Sequence, residues 1–408
     1  MTLYTLFGII AASALVFVII KSAIKQPKNW IIAYISAFVG CLFIFSGAVK
    51  AIDPIGTAIK MEEYFEIFVE YVPFLKGFWH FMASQALPFS VFMIVLEIFL
   101  GIALLLGVYI NVSIWLLVAI IFFFTALTGF SHVTGKVTDC GCFGDFIKLT
   151  PYQSFMKDVV LLFMILLLLW KSAKVDRDLL GTKGHLTLWI LTLISVLFSV
   201  RNIRNMPVVD FRAYKEGVNI PDCLTLPEDA KPTIYENIFI YKNKETGEKK
   251  EFVNTYPTDW ENWEFVDRID KIIQKGDEPK CKDFAILDAD GSDWSEEFLY
   301  MESPLMIITS SDLAKSSEKG LKNISALAAQ AAENGMDVIM ITGTSLTAAE
   351  TYRHEYGFAF DVFNTDGTPI KTINRSNPGV MIIQNGTVLK KYHWRHLPTW
   401  EKISEEIK

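Results

Sequence analysis

Long apolar runs fill the chain up to about Val200, and polar and charged positions break it up thereafter. Spanning a bilayer takes about 20 mostly apolar residues per helix. Six runs approach that length: Leu3–Ile20, Trp30–Val49, Leu87–Val108, Val112–Phe130, Tyr152–Trp170 and His185–Val200. No basic segment precedes the first run, and no small-x-small cleavage site closes it before Lys21. It is therefore predicted as a retained helix, not a signal peptide. Between the second and third runs, Glu62, Glu66 and Glu70 lie four apart on one helical face, with Phe65, Phe68, Val69 and Val72 supplying an apolar face. That predicts a helix lying on the membrane surface or covering the bundle.

After Asn205 the pattern is that of a folded polar half. Ile238–Asn243 and Lys249–Asn254 read as strands joined through Glu245-Thr246-Gly247, and the aromatic run Tyr256–Phe265 leads into a short helix pattern. From Asp283 strands and helices alternate. Strands are predicted at Pro304–Thr309, Met336–Ile341 and Phe360–Phe363, and helices at Lys319–Asn334 and Ser345–Tyr356. Val380–Ile383 and Val388–Tyr392 form a hairpin through Asn385-Gly386, and a helix from Thr399 closes the chain. This order predicts an α/β layer domain.

Composition agrees with two unlike halves. The chain has 408 residues, 51% of them hydrophobic, which is too apolar for one soluble domain. The net charge of −7 comes with no basic block, which excludes nucleic acid as a partner and leaves membrane lipid as the first one. Lys21, Lys25 and Lys28 lie between the first two helices, and Lys171, Lys174, Arg177 and Lys183 between the last two. The positive-inside rule makes both loops cytoplasmic. Counting through six helices then puts the N-terminus, the loop after the fourth helix and the soluble half outside. Arg201 and Arg204, just after the sixth helix, argue the other way and are outvoted.

Chemistry concentrates in the segment Asp139-Cys140-Gly141-Cys142-Phe143-Gly144, between the fourth and fifth helices. A pair of thiols on the extracytoplasmic side can form and break a disulfide. An i, i+2 bridge needs a turned backbone, which Gly141 tolerates. A strained bridge is easily reduced and suits exchange. The alternatives are two inert thiols or a metal pair; with only His132 nearby, no metal is expected. Glu97 falls inside an apolar helix, with Lys50 as its candidate partner. They form either a structural ion pair or a proton path. Asp53-Pro54 reads as a helix end and turn, and Cys41 as a small buried apolar residue. Cys223 and Cys281 are either one structural disulfide or free thiols.

Three separated motifs carry a family resemblance. They are Ser46-Gly47-Ala48-Val49-Lys50-Ala51-Ile52-Asp53-Pro54-Ile55-Gly56, then Glu97-Ile98-Phe99-Leu100-Gly101-Ile102-Ala103-Leu104, then the Cys-Gly-Cys-Phe-Gly loop. In this order they resemble the four-helix DoxX/MauE family of bacterial membrane proteins, over about Trp30–Trp170. The resemblance implies a place in the bacterial inner membrane and thiol–disulfide work at its outer face through Cys140 and Cys142. It also implies a quinone as an electron acceptor, and an exported protein client or periplasmic redox partner. MauE proteins are associated with maturing a periplasmic enzyme rich in disulfides.

The last part, about Asp283–Lys408, resembles the thioredoxin-like fold of periplasmic tethered reductases. Asn377-Pro378-Gly379-Val380-Met381-Ile382-Ile383 is similar to that family's cis-proline stretch. Where the family's Cys-x-x-Cys should follow the first core strand, this chain reads Thr309-Ser310-Ser311-Asp312-Leu313-Ala314. Serine supplies no thiolate, so this domain is not expected to exchange disulfides by itself. Ser310, Ser311 and Pro378 mark either a partner groove or ordinary loops.

The expected fold is a membrane α-helical bundle, with a DoxX-like four-helix core and two flanking helices, followed by a thioredoxin-like α/β domain lacking Cys-x-x-Cys. The expected divisions are 1–29, 30–171, 172–204, 205–282 and 283–408. Two functions remain: a thiol–disulfide oxidoreductase, or a non-catalytic assembly factor that docks a partner. A transporter is disfavoured by the few intramembrane charges and the lack of paired Gly/Pro-broken helices.

Overall fold

The computed structural model describes residues 2–137, 139, 141–226, 228–274 and 276–407. The first half is helical: α1 (Leu3–Ile24), α2 (Trp30–Ile52), α3 (Pro54–Tyr71), α4 (Lys76–Ser84), α5 (Ala86–Leu106), α6 (Ile110–Thr134), α7 (Pro151–Trp170) and α8 (Thr182–Arg204). All but α3 and α4 are long and apolar enough to cross a membrane. Local signals start them where they start. Asn29 Oδ1 accepts the Ile32 N–H at the head of α2, and Thr150 with Gln153 makes a capping box ahead of Pro151 on α7.

In lipid, apolar burial gives helices little reason to associate, so close packing of small residues matters. The α2–α5 crossing uses this device. A Cβ added at Gly101 would sit 2.6 Å from the Gly40 carbonyl oxygen and 2.7 Å from Ile44. The core around it holds Val39, Leu42, Phe43, Leu100 and Leu104, joined by Ile114 and Leu117 of α6 and Leu161, Ile165 and Leu168 of α7. Helix α3 buries Ala58, Tyr64 and Phe65, so it covers the bundle.

Polar contacts sort the loops to two ends. At one end Lys21 pairs with Asp176 at 3.2 Å, Lys28 N–H donates to Asp176 at 3.0 Å, and Asp178 N–H donates to the Gly107 carbonyl at 2.9 Å. At the other end lie the turn after α2, the loop after α6 and the exit of α8, where Asn202 Nδ2 donates to the Ala51 carbonyl at 2.9 Å. The soluble half stands on this second end.

That half begins with α9 (Ile220–Leu224) and a three-stranded antiparallel sheet, β1 (Ile234–Asn243), β2 (Lys249–Val253) and β3 (Trp263–Gln274), ordered β2-β1-β3. The segment after the aromatic run is thus a strand, where a short helix was expected. Val266, Ile269 and Ile273 are β-branched, and β1 offers its free edge from Asn243 back to Ile234. Neighbouring polarity misled because long-range pairing decides such a segment.

Next come α10 (Ser295–Leu299), β4 (Leu305–Ser310), α11 (Glu318–Glu333), β5 (Asp337–Thr342), α12 (Leu346–Tyr356), β6 (Asp361–Asn364), α13 (Gly367–Ile373), β7 (Gly379–Gln384), β8 (Thr387–His393) and α14 (Trp400–Glu406). The sheet order is β6-β5-β4-β7-β8, with β4, β5 and β6 parallel, β7 antiparallel to β4, and β8 antiparallel to β7. Alternation builds two layers from one strand. Met306 and Ile308 of β4 and Val380 and Ile382 of β7 join Leu321, Ile324 and Ala328 of α11. Leu305, Ile307, Met381 and Ile383 face the opposite layer with Ile370 and Ile373 of α13, Tyr214 and Ile220. The Asn377-Pro378 bond leading into β7 is cis. Strand order, burial of both faces and cis-proline position make this a thioredoxin-like domain. Helix α13 had no counterpart in the sequence-based expectation.

Gly101→Leu is expected to push α2 and α5 apart and to cost about 1–3 kcal/mol, the scale of overpacking. Thermal unfolding of the detergent-solubilised protein reads this, and an unchanged midpoint would refute the close crossing.

Candidate functional site at the membrane rim

The site grows from the loop between α6 and α7. Cys140 lies outside the described residues. Its neighbours are placed: Gly141 takes φ +65°, which glycine adopts without a Cβ penalty, and its N–H donates to Asp139 Oδ1 at 3.1 Å. Phe143 is 2% exposed and packs on Phe45, which anchors the loop in the bundle. Ser46 Oγ lies 3.1 Å from the Cys142 carbonyl oxygen, to which it can donate.

Beneath the loop is a cavity of about 80 Å³ inside the bundle. Cys142 and Gly141 form its roof, and two ion pairs form its polar wall. Lys50 Nζ lies 2.6 Å from Glu97 Oε1, and Ser46 Oγ donates to Glu97 Oε2 at 2.9 Å. Lys157 Nζ lies 2.5 Å from Asp158 Oδ1, and Thr128 Oγ1 donates to Asp158 Oδ2 at 3.1 Å. Glu97 and Asp158 are almost wholly buried. Such charges are costly in a bilayer unless paired, and both pairs bring an additional hydroxyl donor. The rest of the lining is apolar, with Leu42, Phe43, Met93, Phe124 and Leu161 among it, so the charged groups occupy one wall of a mostly apolar space. A benzene-sized ring needs roughly 150 Å³, so in this conformation these residues do not fit a quinone.

Above the loop is a second space of about 410 Å³, a crevice roofed by the soluble domain. Asp139, Asp145, Lys148 and Gly144 contribute from the loop, Asp53 and Lys60 from the α2–α3 region, and Arg212, Thr372 and Arg375 from the soluble half. Gly141, Thr57 and Lys60 line both spaces, so the cysteine loop and the start of α3 form the wall between them. Burial lifts the Asp139 carboxyl above its ordinary value, against the pull of the Gly141 N–H and of Lys60 and Lys148.

Arg375 ties the two halves together. Its Nε and Nη2 reach Asp53 Oδ2 at 2.9 and 2.7 Å, and Nη2 reaches Asp145 Oδ2 at 3.3 Å. Nη1 donates to the Lys371 carbonyl, so the guanidinium is held from its own side too. Burial would raise the Asp53 carboxyl, yet the Arg375 charge and hydrogen bonds hold it below its ordinary value. Lys371 adds a 3.5 Å contact to Glu62 of α3.

Other sequence-derived candidates lie apart. Cys223 and Cys281 are bonded, with Cα atoms 5.2 Å apart, under the sheet face that carries Leu305 and Ile307. Ser310 is fully buried, and its hydroxyl is 2.9 Å from Ser316 Oγ. Ser316 Oγ donates to Asn377 Oδ1 at 3.1 Å, and Asn377 Nδ2 donates to the Asp312 carbonyl at 2.9 Å. Hydroxyl and amide groups thus join the turn after β4 to the cis-proline turn. Pro378 packs against Gly320 of α11, and Ser311 is half-buried.

Lys50 and Glu97 were legible as an intramembrane pair. Lys157 and Asp158 were not singled out, although a charged pair in the run Tyr152–Trp170 is the same signal. Arg375 has no local signal at all.

Residues 28–171 match the family described as Methylamine utilisation protein MauE. Residues 235–275, most of the three-stranded sheet, match a domain of unknown function (DUF8463). No curated protein matches the chain. Among solved structures, a Neisseria meningitidis protein assigned as a thioredoxin is 19% identical, covering 31% of this chain and 86% of its own at a TM-score of 0.25. A hypothetical protein from Sinorhizobium meliloti 1021 is 14% identical, covering 27% and 67% at a TM-score of 0.20. Strand order and the cis-proline carry the fold assignment; these scores do not. The chain is a membrane protein that joins a MauE-like helical domain to a thioredoxin-like domain.

Lys50→Met leaves Glu97 buried without its cation and should cost about 3–5 kcal/mol, whereas Lys50→Met/Glu97→Leu should regain most of that. Unfolding midpoints of the three proteins decide it. Arg375→Ala should release the soluble domain, read as faster amide exchange in residues 54–60 and 367–376, with Asp53→Arg/Arg375→Asp restoring protection. Since Asp53 is depressed, its contribution is complete above the ordinary carboxylate value and is lost only as pH falls below it. The clamp should therefore hold unchanged from about pH 5 to 8.

Proposed function

We propose that this chain is a thiol–disulfide redox protein of the bacterial inner membrane, working through Cys140-Gly141-Cys142 on the extracytoplasmic side and supporting the maturation of exported proteins. The observation that carries the reading is the place of the loop, which walls a crevice on the soluble side from a mostly apolar cavity in the bundle with two ion pairs on its wall. The basic loops at the opposite end support the orientation.

In the exchange, one loop thiolate attacks a client disulfide and forms a mixed disulfide, and the client's other sulfur leaves as a thiolate and takes a proton. The second loop thiolate then attacks the loop sulfur of that bridge and expels the first client sulfur. The loop becomes a disulfide and the client a dithiol, so two electrons and two protons reach the client. The reverse sequence oxidises the client, and the relative reduction potentials set the direction. Asp139, with its raised carboxyl, is the nearest described group in sequence to hold a proton for a loop thiol. The cavity as it stands gives no support for a bound quinone.

A second reading has its own observation. The turn where thioredoxin-like enzymes carry cysteines is closed by the Ser310–Ser316–Asn377 hydrogen bonds. This favours a non-catalytic assembly factor whose soluble domain docks an exported partner around Ser311 and Pro378.

Alkylation of native membranes, with and without prior reduction, separates the two. The redox reading expects a Cys140–Cys142 bridge in part of the population, and a mixed disulfide that accumulates in Cys142→Ser or Cys140→Ser. Two permanently reduced thiols and full function in the double serine variant would leave the docking reading.

A further inference from the structure

A second polar feature lies away from the cysteine loop, where α8 leaves the membrane. A cleft of about 650 Å³ opens between the end of α8 and the soluble domain. Arg201 and Arg204 line it from the last turn of α8, Lys319 from α11, and Arg395 from the turn after β8. These four cations come from three separate stretches of chain, and among the described residues that line the cleft none is acidic. Arg201 spends its guanidinium on the Asn202 side chain and the Met206 carbonyl, and Arg395 lies over the Trp394 ring at 4.3 Å. Neither arrangement offsets charge. Leu197, 60% exposed, and Val200 border the same cleft one turn lower, on the apolar flank of a membrane-crossing helix.

We infer that this cleft binds the headgroup of an anionic phospholipid. The chemistry is amphipathic at one spot: a net positive hollow at the rim and an apolar helix flank directly below it. A lipid there sets its phosphate among Arg201, Arg204, Lys319 and Arg395 and its acyl chains along Leu197 and Val200. A soluble anion would use only the upper half of these contacts. The inference also accounts for two arginines on the side where the positive-inside rule disfavours them. Their charge is met by lipid, and the bound lipid braces the soluble domain against the end of α8.

Native mass spectrometry of the full chain in detergent tests this, with phosphatidylglycerol titrated against phosphatidylcholine. One retained phosphatidylglycerol is expected in preference to phosphatidylcholine. Arg204→Gln and Lys319→Gln should each weaken that retention by about fivefold, the effect of one cation at an anionic surface. Their thermal midpoints in lipid-free detergent should match the unaltered protein, and Lys249→Gln, on the distant strand β2, should retain the lipid normally. Equal retention of the two lipids, unchanged retention in both cleft variants, or an equal loss in Lys249→Gln would overturn the proposal. Displacement of the lipid by millimolar inorganic phosphate would also overturn it and assign the cleft to small anions.

Discussion

The meeting of the two halves of this protein centres on one guanidinium. Arg375 is buried where the soluble domain meets the membrane domain, and a buried cation is tolerable only when paired and hydrogen-bonded. Asp53 and Asp145 supply the charge, and the Lys371 carbonyl fills a further donor direction. Burial would lower the arginine's pKa, but Asp53 and Asp145 more than compensate, so the group stays charged. Arginine's planar fork suits this place better than lysine, because two donors meet one carboxylate while others serve different acceptors. The partners come from opposite sides of the cysteine loop: Asp53 caps the start of α3, and Asp145 follows the loop's Cys-Gly-Cys-Phe-Gly run. One residue therefore ties the soluble domain both to the start of α3 and to the segment after the cysteines.

Inside the bundle the constraint is the reverse, since charge must be hidden from lipid without water to dissolve it. The two lysine–carboxylate pairs meet this by facing one small cavity instead of the bilayer. Each brings a hydroxyl, Ser46 or Thr128, to serve a second carboxylate oxygen. Ser46 also contacts the Cys142 carbonyl, so the interior network and the loop share a side chain. Structural pairing and proton handling need not be exclusive here. On the proposed reading, the network that orders the loop also places charged groups near a proton released at a loop thiol.

The thioredoxin-like domain keeps its architecture and lacks the thiols. Its cis-proline turn is held to the turn after β4 by hydroxyl and amide groups, and its α13 end faces the membrane loop. On the proposed reading, the chemistry that the fold often hosts falls to another element, across the crevice. Fold alone does not assign function, and the same scaffold serves equally as a platform.

Much of this was legible in the chain. Six apolar runs of bilayer length allow only helices across a membrane, because unpaired backbone groups in lipid are prohibitive. The short apolar runs Leu305–Ile308 and Val380–Ile383 marked strands buried on both faces, and Asn385-Gly386 marked the hairpin turn. Glu97 betrayed itself because a carboxylate in an apolar helix needs a reason. Segment 263–274 was read wrongly, since an isolated strand's stability lies in a partner that its own residues do not name. Arg375 was invisible for the same reason: it is one cation among many until the fold carries it to Asp53, 322 residues earlier. Local patterning determined which elements form and which faces they bury. Only the tertiary structure decided that the cysteine loop, two buried ion pairs and an arginine from the far domain share one place, because electrostatic pairing depends on distance in space and not on distance along the chain.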